Sequence, residues 1–176
     1  MRLKKFKLSK YKISLTKNLT KKQIREICRI KNKHWKFSMK SQIEWFKKNS
    51  FPNDIHYQIY QKNMLIGYLH LGTRSLENFK RNSNKYILFR NLIVDKNFRS
   101  RGISKKIMNF ANKYISSRKK IGFLICKKKL IYFYKKHKWK FYPKKNFILN
   151  DHSHQKMIFM FYNLKFIKKF KLSYKI

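Results

Sequence analysis

The run from Asn91 to Met108, NLIVDKNFRSRGISKKIM, passes from an apolar strand pattern through a short basic turn with one glycine directly into an amphipathic helix. A strand that hands over to a helix this abruptly fixes a local strand-turn-helix unit. It also fixes where the first backbone N–H groups of the helix point. Those groups lack intrahelical partners and the helix dipole adds partial positive charge, so the turn can hold an anion without acidic or metal chemistry. Gly102 allows close approach to the backbone, Arg99 and Arg101 add charge, and Ser100, Ile103 and Ser104 complete the loop. The natural occupant of such a turn is a diphosphate.

The rest of the chain supplies the elements around that unit. Tyr11–Thr16 alternates as a strand, and Thr20 with Gln23 reads as a capping box before Ile24, Ile27 and Ile30 on one helix face. Ser38 opens a second helix that ends before Ser50-Phe51-Pro52-Asn53. Two strand patterns follow, His56–Gln61 and Leu65–Leu71, joined as a hairpin at Lys62-Asn63-Met64, and the polar segment Ser75–Lys85 reads as a loop. Tyr86–Val94 is a fourth strand, Gly102–Ser117 the main helix, Ile121–Cys126 a fifth strand and Lys128–His137 a short helix. Trp139–Tyr142 and Met157–Phe166 close the series as strands.

Arg99-x-x-Gly102-x-Ser104 resembles the pyrophosphate loop of the GNAT-type N-acetyltransferases, and Leu92-Ile93-Val94 is similar to that family's splayed fourth strand. A second segment, Leu130-Ile-Tyr-Phe-Tyr134-Lys-Lys-His-Lys-Trp139, resembles its tyrosine-bearing helix and the strand after it. The chain departs from the pattern at Ser104, where the family has Gly or Ala, and at Lys138, where it has Gly. A serine fits the turn, so weakened rather than abolished cofactor binding is expected. Alone, Tyr134 reads as a core aromatic of an amphipathic helix. The order and spacing of the two motifs together favour the family reading.

The resemblance implies an α/β (α+β) GNAT fold, a mixed central sheet of about seven strands flanked by about four helices. It implies a single domain over residues 1–166 with a basic C-terminal extension, 167–176. It further implies an enzyme that moves an acetyl group from acetyl-CoA to a primary amine by direct transfer, without a covalent enzyme intermediate or a metal. In that scheme the turn residues Arg99 to Ser104 bind the diphosphate. Leu92, Ile93 and Val94 hold the pantetheine arm, with a backbone N–H near Ile93 or Val94 meeting the oxyanion. Tyr134 donates a proton to the departing thiolate, a role that suits a phenol.

The acceptor side is less complete. The position that often carries a carboxylate in the family is Leu88, which cannot take a proton. The chain has only 6 acidic residues. Glu26 and Glu44 fall on helices, Glu77 in a polar loop, Asp95 after the fourth strand and Asp151 in a late loop. Asp54-Ile-His56 lies where acceptor-binding residues sit in the family, and its two polar members, two residues apart at a strand entrance, share a side. Asp54 or His56 is therefore the expected group on the incoming amine, with His70 a second candidate. The alternative is that Asp54 caps a turn and His56 is an ordinary strand residue. Trp35 and Trp45 suit sugar rings, so the acceptor reads first as an amino sugar or nucleotide-linked amino sugar and second as a protein amine. Packing of the two tryptophans on the sheet is the competing reading.

Charge opens a rival. The chain carries 47 Lys and Arg, formally +41, which points to nucleic acid or another polyanion. The lysines are scattered, however, and Lys, Asn, Ile, Phe and Tyr are over-used together, as in an A- and T-rich genome. A catalytically inactive basic protein that binds nucleic acid is thus possible but not favoured. With 43% apolar residues the chain has material for a core. Cys28 and Cys126 form no metal or redox spacing, and a reduced cytoplasmic protein is the simplest reading. No stretch approaches the roughly 20 apolar residues of a membrane span, and the N-terminus lacks an apolar signal core.

Overall fold

The computed structural model describes residues 11–77, 85–143, 147–149, 157–164 and 170–172. In chain order these form β1 (Lys12–Thr16), α1 (Lys21–Asn32), α2 (Met39–Asn49), β2 (Ile55–Gln61), β3 (Met64–Glu77) and β4 (Lys85–Val94). They continue as α3 (Ile103–Ser117), β5 (Gly122–Cys126), α4 (Ile131–Lys136), β6 (Lys140–Phe141), β7 (Phe147–Leu149), β8 (Ile158–Tyr162) and β9 (Phe170–Leu172). Seven strands lie side by side in the order β1-β2-β3-β4-β5-β8-β6, with β4 and β5 parallel and the other neighbours antiparallel. The expected mixed sheet of seven strands with four α-helices is the architecture found.

Local chemistry explains the starts and turns. Thr20 accepts from the Gln23 N–H at 3.2 Å while the Gln23 side chain accepts from the Thr20 N–H at 2.9 Å, so the capping box closes reciprocally. Ser38 caps α2 through the Ser41 N–H at 3.1 Å. The β2–β3 hairpin turns on Lys62 and Asn63, both left-handed with φ of 45° and 62°, the conformation that matches strand twist in a two-residue turn.

Each face of the sheet is covered. On one, Ile103, Ile107, Met108, Ala111 and Ile115 of α3 pack on Tyr57, Ile59, Ile66 and Leu69. Burying each such large aliphatic contributes about 1.5–3 kcal/mol. Gly67 lets α3 lie close, since a Cβ there would stand 3.0 Å from Ile103 Cγ2. On the other face, Ile27 and Ile30 of α1 and Phe46 of α2 pack on Leu65, Tyr68 and Ile93.

Three expectations are corrected. The segment read as a loop from Ser75 is strand as far as Glu77, because β3 continues to pair with β4 and then with β9. Lys85 likewise belongs to β4. Phe170–Leu172, inside the basic extension, is a strand that pairs with Leu76–Glu77 of β3 and runs parallel to β7. Backbone pairing binds these residues whatever their charge, and charge was what the sequence displayed. Residues 78–84, Asp151 and residues 165–169 lie outside the described residues.

Candidate active site

The site begins where the sheet opens. β4 and β5 pair only at Ile87 with Gly122 and Leu88 with Phe123. Beyond that point the two strands separate, and the β5-facing edge of β4 is left without a strand partner among the described residues. β4 also carries a bulge. Tyr68 faces Ile93 and His70 faces Arg90, so Leu69 opposes two residues, Asn91 and Leu92. Asn91 takes up the extra length in a left-handed conformation, φ 50°.

The inserted residue reverses which side chains face which way. Leu92 and Val94 line the opening, whereas Ile93 is buried against α1 and α2. The expected trio is therefore split, and Ile93 does not line the cleft. The Asp95 N–H donates to the Ile66 carbonyl at 2.9 Å, so by strand alternation the Val94 backbone groups point away from β3, into the opening.

Just beyond, α3 starts without a side-chain cap, unlike α1 and α2. Gly102 at its N-cap has φ 76°, and a Cβ built there meets nothing within 4 Å. No side chain caps the opening N–H groups of α3, and Arg99, Ser100, Ile103 and Ser104 line the adjoining cleft. Ser100 is also left-handed, at φ 59°. Arg101 instead lies over the Phe98 ring, 5.2 Å from its centre. The cleft measures about 540 Å³. An uncapped helix start, open space at a glycine and an unpaired strand edge fit a diphosphate carrying an extended amide-containing arm.

A second cleft of about 500 Å³ lies where β4 and β5 separate, lined by residues 88–92 and 124–127. The two share His34, Trp35, Leu92, Lys129, Leu130 and Tyr134. Tyr134 is only 7% exposed, its ring edge-on to Phe89, and its hydroxyl makes no hydrogen bond among the described residues. Burial pushes the phenol well above its ordinary pKa, so it is protonated at neutral pH. Lys138, at the family's glycine position, adopts φ 67° at the end of α4, keeping the turn that glycine would make without strain. Trp139 then buries its ring and donates from Nε1 to Asn112 at 2.9 Å.

His34 is the site residue that sequence reasoning missed. Its Nε2 is 3.2 Å from the Val94 carbonyl, and Arg99 Nη2 is 3.0 Å from Nδ1. With Nε2 protonated and donating to Val94, Nδ1 holds the lone pair that accepts from Arg99. Burial lowers the imidazole pKa, and the Arg99 charge lowers it further. The contacts span 60 and 65 residues, so nothing local in the sequence marks them.

Asp54 and His56 are brought to one side together, as expected, but not into either cleft. Asp54 is fully buried and accepts from His70 Nε2 at 2.7 Å and from Arg74 Nη1 and Nη2 at 2.7 and 3.0 Å. It also accepts from the Phe51 N–H at 3.0 Å. Burial would raise its pKa, yet these hydrogen bonds outweigh it and hold the carboxyl well below the usual range. His56 is 2% exposed, its Nδ1 is 2.8 Å from the Tyr68 hydroxyl and its ring stacks on His70. Burial drops its pKa to about 3. This geometry runs against the acceptor role expected of Asp54, His56 and His70: all three are buried and line neither cleft, His56 and His70 lying against the Phe46 ring and Asp54 closed by Arg74. Other acids are also engaged: Asp95 pairs with Lys33 at 2.7 Å and caps the following turn, and Glu26 accepts from Tyr60 at 3.3 Å. Cys126 is buried and its thiol is pushed up to about 11.

Residues 52–148 match the family model of the acetyltransferase (GNAT) domain. No curated protein matches the chain significantly in sequence. Among solved structures, the chain is similar to an aminoglycoside 6'-N-acetyltransferase complexed with coenzyme A, at TM-score 0.64 and 13% identity over 88% of this chain and 98% of that one. An acetyltransferase from Streptococcus agalactiae gives TM-score 0.66 and 11% identity over 88% and 98%. The ribosomal-protein-S18-alanine N-acetyltransferase of Escherichia coli gives 0.61 and 13% over 86% and 92%. These likenesses speak to the fold. The family match spans more than half of the chain and encloses both the turn at Gly102 and Tyr134. On that ground the chain belongs to the GNAT acetyltransferases, enzymes that take their acetyl group from acetyl-CoA.

Proposed function

We propose that this protein transfers the acetyl group of acetyl-CoA directly to the primary amine of a small acceptor, an amino sugar or nucleotide-linked amino sugar first and a protein amine second. One observation carries the reading. Tyr134 stands between two clefts, one bounded by the uncapped start of α3 and the unpaired edge of β4, the other by the two tryptophans.

In this reading Arg99 to Ser104 and the free N–H groups of α3 hold the diphosphate, and Arg99 leaves His34 to do so. The Leu92 and Val94 backbone pairs with the pantetheine arm, and an N–H of this edge meets the oxyanion that develops on the carbonyl. The amine nitrogen forms its bond to the carbonyl carbon, and the carbon–sulfur bond breaks. His34 Nδ1 takes the proton the amine sheds, and Tyr134 gives its phenolic proton to the departing sulfur. Among the described residues no carboxylate lines the acceptor cleft, whose charged side chains are Arg90, Lys127 and Lys129. A cationic wall lowers the pKa of an incoming ammonium, so the amine reaches His34 close to neutral.

The reading is tested by calorimetric titration of acetyl-CoA into the full chain at moderate salt, with ATP and desulfo-CoA as controls. Acetyl-CoA binding that survives salt while ATP binding fades is expected. Equal fading of all three anions would leave only charge, and the transferase reading would fall.

Two kinetic results follow. Tyr134→Phe lowers kcat by about 100-fold while leaving the affinity for acetyl-CoA within about twofold, the pattern of a lost proton donor. His34→Gln lowers kcat/KM by about 10- to 100-fold at neutral pH and removes the acid limb of its pH profile. The sign follows from the lowered imidazole pKa: His34 is unprotonated at neutral pH, and activity is lost as pH falls through a value below the ordinary 6.5. An acid limb unchanged in the variant would assign that proton to another group.

A further inference from the structure

A third cavity of about 500 Å³ adjoins the acceptor cleft and shares Trp35, Trp45 and Asn91 with it. Its polar lining is unusual. Lys31, in the last turn of α1, is 4% exposed, and its Nζ sits 3.7 Å from the centre of the Trp45 ring. Among the described residues it has no carboxylate or hydrogen-bond acceptor. Arg90, of the same sign, approaches the same ring at 5.9 Å and is itself hydrogen-bonded to Asn49. Asn91 also lines the cavity, and its Nδ2 is buried with no hydrogen-bond partner among the described residues. The β4 bulge holds Asn91 there, and Gln42 fixes the Trp35 loop by donating from Nε2 to the Trp35 carbonyl at 3.1 Å.

An ammonium largely withdrawn from water over an aromatic face, with no carboxylate to pair it, is poorly compensated, and an unpaired amide donor in the same lining adds to the deficit. Lys31 and Asn91 line one space, and a cationic donor together with an amide is best satisfied there by an anionic oxygen, which offers opposite charge and several acceptor lone pairs. Burial already draws the Lys31 pKa down to about 8, an effect that Cys28 opposes and Arg90 reinforces, and a bound anion would reverse it. The aromatic walls suit the ring or chain that carries the anionic group.

We propose that the cavity between Lys31, Asn91 and Trp45 is an anion subsite for the acceptor, taking the carboxylate or phosphate of an amine whose amino group lies in the adjoining cleft beside Tyr134. The proposal rests on the reading of that cleft as the site of transfer. It narrows the acceptor to amines that carry an acidic group, and it disfavours polycations.

The test is calorimetric titration of three amines that share one ring: glucosamine, its 6-phosphate and the corresponding amino uronic acid. Each is titrated into the full chain saturated with CoA, at about 0.15 M salt, where surface charges are screened beyond roughly 8 Å. The phosphate, the uronate or both are expected to bind at least about tenfold more tightly than glucosamine. Preference for one of them identifies the source of the charge. Lys31→Met and Asn91→Asp abolish the preference, the second by placing a like charge at a position whose φ aspartate tolerates. Lys22→Met, on the exposed side of α1, removes the same charge and keeps the preference. Anionic probes no tighter than glucosamine, or an equal loss in Lys22→Met and Lys31→Met, overturn the proposal. The transferase reading is measured separately by the CoA titration. If CoA fails to bind, the three amines titrated into the ligand-free chain read the subsite all the same.

Discussion

Gly102→Glu is expected to remove acetyl-CoA binding, a loss of at least about 100-fold, because it sets a carboxylate in the space proposed for the diphosphate at the first N–H groups of α3. The substitution meets no steric obstacle of its own, since nothing lies within 4 Å of a Cβ at this position. What it does incur is backbone strain at φ 76°, about 1 kcal/mol for a residue other than glycine. Gly102→Ala carries the same strain without the charge and separates the two effects. It should lower the melting temperature as far as Gly102→Glu while retaining most of the affinity. Calorimetry for binding and a thermal melt for stability decide the matter. Acetyl-CoA bound normally by Gly102→Glu would place the diphosphate elsewhere.

Asp54→Ala is expected to destabilise the fold by about 3–5 kcal/mol, the range for breaking a buried ion pair by removing one partner. Arg74 loses a two-pronged carboxylate, His70 loses its acceptor, and the Phe51 N–H that closes the turn before β2 loses its cap. His70 already has Nδ1 without a partner, so the alanine would leave both ring nitrogens unpaired among the described residues. The same ion pair predicts an acid dependence. The folded pKa of Asp54 lies below its unfolded value, so its contribution is fully present above about pH 4 and is lost as pH falls through that range toward the folded value. Urea melts of the wild type between about pH 5 and about pH 2 should lose stability more steeply than those of Asp54→Ala. Parallel slopes in the two proteins would show that Asp54 is not the linked group.

The elements that were legible in the sequence are those whose determinants are close along the chain. Thr20 and Gln23 are three residues apart and close the capping box as the pattern required. The turn around Gly102 was readable for the same reason, as strand, glycine and helix follow one another without interruption. Tyr134 was marked by resemblance to the family's tyrosine-bearing helix, and it lines both clefts.

The misplacements share the opposite property. Leu92, Ile93 and Val94 form an unbroken apolar run, and only the pairing of Leu69 with two residues shows that the run contains a change of face. Asp54 and His56 lie two apart and do face the same way. Whether that side opens to a ligand depended on Phe46 and on Arg74, which closes on Asp54 from twenty residues away. His34 drew no attention beside two tryptophans, because its partners Val94 and Arg99 come from the other end of the strand-turn-helix unit.

The sequence by itself determined the order of the helices and of the strands from β1 to β6, the caps and turns that bound them, and the uncapped glycine start of the main helix. These follow from propensities, side-chain periodicity and hydrogen bonds that reach only a few residues. The tertiary structure alone decided which polar groups line the clefts and which are sealed as ion pairs. Burial and electrostatic pairing depend on what lies opposite in space, and here the deciding partners are separated by up to 65 residues. A carboxylate such as Asp54 and an imidazole such as His34 are chemically ready for the same task. Packing gave the first to Arg74 and left the second at the mouth of both clefts.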